Sequence, residues 1–141
     1  LKLDQHEVNE YMTALSMLCR TDIHLRLDFD AFRIFFNVFR ALLFKHEKIT
    51  DKEQVFEVGY FQIQGMIKGR TEYDRVIKLA LDVEAKKVSH HSITMTEVLA
   101  IKIYCDIYIL TVAVRAELNK PGLRLVGNMD DVPPSENNVK E

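Results

Sequence analysis

The stretch LAIKIYCDIYILTVAV, residues 99–114, decides the fold. It is apolar almost throughout, yet Lys102 and Asp106 stand inside it, four residues apart. A membrane span needs about 20 apolar residues and penalises a charge at mid-depth by roughly 2.5–3.5 kcal/mol. Both charges fall near the centre of the run and no aromatic belt brackets it, so a membrane span is rejected. At about 100° per residue the stretch is a helix with two apolar walls. Ile103, Ile107, Leu110 and Val114 form one, and Val98, Ile101, Cys105 and Val112 the other. Between them runs a half-polar strip of Tyr104, Tyr108, Thr111 and Arg115. Two apolar walls predict a central, mostly buried helix packed on both sides. The Lys102–Asp106 pair then sits in a solvent-facing slot, where a Lys-first pair adds no more than about 0.2–0.5 kcal/mol.

Working outward, the rest of the chain reads as helices that enclose this one. Five Gly and three Pro in 141 residues argue for helices and against a sandwich or barrel. Three tetrads have the form of capping boxes: Asp4 to Glu7, Thr50 to Glu53 and Thr94 to Glu97. Thr71 to Asp74 is a weaker version, and Asp28 or Asp30 can cap a further segment. These starts predict helices over about 5–19, 31–45, 51–68, 72–88 and 95–119. In the second, Phe32, Phe35, Phe36, Phe39, Leu42 and Leu43 share a broad face, which reads as core. Gly59 and Gly65 weaken the third helix by roughly 1 kcal/mol each relative to Ala, and they allow a neighbour to approach closely. Gly69 is placed to end that helix as a left-handed cap.

Residues 22–29 and 122–127 alternate apolar and polar side chains, as strands do, but extended linkers fit them better. The expected architecture is all-α: a five-helix bundle domain over 1–120 and an extended or disordered polar tail over 121–141. The chain begins at Leu1 rather than at Met, as a fragment or a processed form would.

The composition narrows the chemistry. A net charge of −2 creates no global field for nucleic acid, so nucleic-acid binding through Arg33, Arg40, Lys68 and Arg70 is disfavoured. Cys19 and Cys105 fall on apolar helical patterns, which fits free thiols and an intracellular, reducing compartment. The tetrad SHHS (Ser89 to Ser92) reads as a helix–helix loop. Adjacent histidines do not share a helix face, and no nearby Cys or acid completes a metal set. No phosphate-cradling glycine loop, GxSxG, HExxH or CxxC is present. No catalytic residue, metal ligand or cofactor site is therefore expected.

The best binding candidates are Tyr104, Tyr108, Thr111 and Arg115, because Tyr and Arg combine broad apolar contact with polar tips. Phenols that merely edge the core are the stronger competing assignment. Arg33 and Arg40, on the far side of the Phe-rich helix, are candidates for acidic partners. The expected function is a non-catalytic protein-interaction or assembly module, with a protein partner or self-association as a homodimer. The alternative is a small-molecule-binding or enzymatic helical domain with a pocket between helices.

Overall fold

The computed structural model describes residues 3–19, 22 and 24–120. These are helical, with no strand among the described residues: α1 (Gln5–Leu18), α2 (Leu25–Glu47), α3 (Val55–Ile63), α4 (Arg70–Glu84) and α5 (Met95–Leu118). Single 3₁₀ turns follow α3 at Gln64–Met66 and precede α5 at His90–Ser92. The tail and the 122–127 segment lie outside the described residues. The described residues up to Thr111 form one compact unit, and the last turns of α5, from Val112, belong to another.

The core lies in the first unit and is organised by α2. Phe32, Phe35, Phe36, Phe39, Leu42 and Leu43 are all buried, as the aromatic stripe predicts. α1, α3 and α4 each pack against this helix. Tyr11 of α1 meets Phe35 edge-on at 5.4 Å, and Phe56 of α3 stacks on Phe36 at 5.1 Å. From α5, Tyr108 meets Phe39 edge-on at 6.1 Å, and Val98, Ile101 and Cys105 are fully buried. Gly59 brings α3 close to its neighbours: a Cβ there would lie 2.9 Å from Leu43 Cδ1. Gly65 has no such neighbour within 4 Å.

The helix ends depart from the expected signals in instructive ways. Of the three capping boxes, Thr94–Glu97 forms its bond, the Thr94 N–H donating to Glu97 Oε1 at 3.0 Å. Asp4 does stand at the start of α1, but its carboxylate makes no cap bond. Instead it accepts from Lys45 Nζ at 2.9 Å, and Glu7 turns inward. Asp51 Oδ1 accepts the Glu53 N–H at 2.8 Å in a local turn, and α3 starts beyond it, with Gln54 at the N-cap.

α2 begins at Leu25 rather than at 31, with His24 Nδ1 accepting the Leu27 N–H at 3.3 Å. The apparent alternation over 22–29 therefore gives way to helix. Leu25, Phe29, Phe32 and Phe36 follow the i, i+4, i+7, i+11 spacing, and that longer period wins over five ambiguous residues. Gly69 is extended (φ 160, ψ 178) and opens α4; it is not a left-handed cap. α4 closes in a Schellman motif with Lys86 left-handed at φ 60. There Lys87 N–H donates to the Asp82 carbonyl at 2.8 Å, and Lys86 N–H to the Val83 carbonyl at 3.0 Å.

Candidate functional site

Two features of the first unit can engage another molecule: the outer face of α5, and a cleft where α5 meets α1 and α2. Both follow from how α5 is seated. The wall of Val98, Ile101 and Cys105 faces the core, together with Tyr104 and Tyr108. The opposite wall, expected to be covered by a second neighbour, has none over it among the described residues. Leu99 is 43%, Ile103 49% and Leu110 55% exposed, and Ile107 is half-buried. In the second unit, Val114 and Leu118 are also exposed. No helix among the described residues is long and apolar enough to cross a membrane.

The half-polar strip divides between core and backbone. Tyr104 is buried against Tyr73, ring centroids 5.3 Å apart, and burial raises its phenol to about 12. Tyr108 is fully buried, and its hydroxyl donates to Glu47 Oε2 at 2.6 Å. Thr111 Oγ1 donates to the Ile107 carbonyl at 2.9 Å, within its own helix. Arg115 lies four residues further on, in the second unit. The two tyrosine rings thus face the core of this chain rather than water.

Arg33 and Arg40 do not act together. Arg33 is exposed, 3.7 Å from Asp30 one turn away. Arg40 clamps α2 to α4: Nη1 donates to Glu84 Oε1 at 2.9 Å, while its guanidinium lies 5.0 Å over the Phe36 ring. Glu84 is held below the usual carboxylate range by that bond. Arg70 is likewise tied to Glu57 and Asp74, so two of the cations considered for nucleic acid are paired with carboxylates at the surface of the same chain.

The Lys102–Asp106 pair is not an open solvent slot. Lys102 Nζ donates to Asp106 Oδ2 at 2.7 Å, and Tyr11 of α1 donates its hydroxyl to Oδ1 at 2.6 Å. Burial, and then this bond to Asp106, push the Tyr11 phenol well above its ordinary range. Beside the junction lies a cleft of about 290 Å³, walled by Val8, Met12, Val38, Leu42 and Ile109 and edged by Glu7, Tyr11 and Asp106. Glu7 is 9% exposed, and its Oε1 has no hydrogen-bond partner among the described residues. Sequence reasoning placed Glu7 in a capping box and so missed it. The available signal was the 4-residue spacing that sets Glu7 and Tyr11 on one face of α1, beside the apolar row.

The SHHS segment connects α4 to α5, but His90–Ser92 form a 3₁₀ turn there rather than a plain loop, with the His90 and His91 rings 4.0 Å apart. No group of three His, Cys, Asp or Glu able to hold a metal occurs among the described residues. Cys105 is buried and Cys19 exposed; both are free, and burial raises the Cys105 thiol well above its ordinary value. No protein-family model, curated protein or solved structure matches the chain.

Proposed function

We propose that the chain is a non-catalytic assembly module that self-associates through the outer face of α5. The carrying observation is the exposed row of Leu99, Ile103 and Leu110 on a helix whose inner face is already buried. Single exposed apolar residues are ordinary on a protein surface. A row along one helix is different: an apolar stripe is the face by which a helix packs against something else. Complete burial of each such side chain is worth about 1.5–3 kcal/mol, so half-exposed ones leave a useful part of that gain to a partner. A second copy is the simplest occupant, because one helix face repeated about a twofold axis is complementary to itself.

The test is mass in solution by light scattering, for the unaltered chain and for Ile103→Lys combined with Leu110→Lys. Both substitutions point outward, so helicity should not change. The unaltered chain is expected at twice its 16.4 kDa mass, and the double variant at 16.4 kDa. A monomeric unaltered chain would refute self-association through this face.

A further inference from the structure

We propose that the cleft between α1, α2 and α5 binds a small amphiphile with an ammonium head, of the primary alkylamine class. The walls supply the apolar half of the site. Val8, Val38, Leu42 and Ile109 present aliphatic surface, and Met12 adds an adaptable thioether. At about 290 Å³ the cleft is at the small end of ligand pockets, so the guest is a short chain rather than a drug-sized molecule.

The head group follows from the polar edge. Glu7 and Asp106 are the two carboxylates that line the cleft, and Lys45 and Lys102 are the ammonium groups that act on them. Lys45 donates to Asp4 and Lys102 to Asp106, each within 3 Å. The second oxygen of Asp106 is taken by Tyr11. Lys45 feels the charge of Glu7, but its hydrogen bond goes to Asp4. Glu7, which lines the cleft, is left as the acid without an ion pair in this set, and one of its oxygens is buried with no partner among the described residues. A buried acceptor without a donor forfeits the hydration it had in the unfolded chain. That oxygen is closed to the cleft, but the carboxylate lacks a cation, and one that arrives on a ligand pairs with it as a whole. An anionic head would meet two carboxylates. The exposed row on α5 plays no part, since Leu99, Ile103 and Leu110 do not line the cleft.

The experiment is a titration of the full chain with hexylammonium, hexanol and hexanoate, followed by NMR of isotope-labelled methionine methyl groups. Met12 lines the cleft, while Met66 sits exposed on the 3₁₀ turn after α3 and reports non-specific binding. Hexylammonium is expected to shift the Met12 methyl saturably, with half-saturation about tenfold below that of hexanol. Met66 should not move, and hexanoate should have no effect. Glu7→Gln should erase the preference for hexylammonium over hexanol. If that variant loses helicity, the comparison of three probes on the unaltered chain still decides. An unmoved Met12 methyl, an equal response to all three probes, or a Met66 shift in step with Met12 would overturn the proposal.

Discussion

Adding one methyl group at position 59 tests how α3 is held. In an open helix, Gly→Ala stabilises by about 0.5–1 kcal/mol, because Gly loses more backbone freedom on folding. At Gly59 the new Cβ would lie 2.9 Å from Leu43 Cδ1, 3.0 Å from Tyr73 Oη and 3.3 Å from Phe39 Cζ. None of the three can swing into solvent. Leu43 and Phe39 are fully buried, and Tyr73 is 1% exposed. The Tyr73 hydroxyl is also committed, donating to the Phe56 carbonyl at 2.6 Å. Overpacking of this kind costs about 1–3 kcal/mol, and a weakened buried hydrogen bond adds up to about 1 kcal/mol. Subtracting the entropic gain leaves Gly59→Ala less stable by about 1–3 kcal/mol.

Urea unfolding at one fixed protein concentration measures this, the concentration being held because self-association would shift the midpoint. Gly65→Ala is the control: no atom lies within 4 Å of its Cβ, so no loss is expected. Tyr73→Phe sharpens the test, since it removes one of the crowding atoms. The double variant should then show a favourable coupling of at least about 0.5 kcal/mol. A Gly59→Ala chain as stable as the original would refute the reasoning that α3 is seated by close approach.

Three further outcomes follow from the same geometry. Lys86→Gly should stabilise the chain by about 1 kcal/mol in the same unfolding assay, because Lys86 bears the left-handed cap position at φ 60 that Gly fills without strain. Tyr11→Phe should cost about 1 kcal/mol by urea midpoint, with helicity unchanged: its bond goes to a charged acceptor, but Asp106 is 36% exposed and water replaces part of the loss. On the alkaline side, burial raises the phenols of Tyr11 and Tyr73 above 10.0, and that of Tyr104 to about 12. A raised folded-state value confers stability that is complete below the unfolded phenol value and lost above it. The urea midpoint should therefore fall as pH rises past 10.0, and phenolate absorbance from these residues should appear together with unfolding; ionisation well ahead of unfolding would contradict the burial.

How much of this was legible in the sequence depends on which kind of force acts at each place. The Phe stripe of α2 was legible because burial acts on the side chains that carry the period. The seat for a neighbour at Gly59 was legible because a missing side chain has few other uses inside a helix. Helix starts were less legible, since a cap is a local bond of about 1 kcal/mol that one tertiary contact can replace. Asp4 accepts from Lys45, forty-one positions away in the chain, and this partner is absent from any local window. Glu7, freed from the capping box, turns inward and becomes the acid that edges the cleft.

The deeper limit lies in α5. Periodicity reports which faces of a helix are apolar, not which of them the chain itself can cover. Two apolar walls implied two neighbours, and α2 and α4 already meet the helix on its inner side, through Phe39 to Tyr108 and Tyr73 to Tyr104. With the Val98–Ile101–Cys105 wall buried on that side, Ile103 and Leu110 are turned outward by helical geometry. The surplus wall was thus visible in residues 99–114 from the start, but its meaning was not. An apolar face that the described residues leave open must either be tolerated as exposed surface or be covered by something beyond them. For a row of large side chains that choice favours a partner, and this is why the reading of the protein as an assembly module rests on the part of α5 that its own bundle does not enclose.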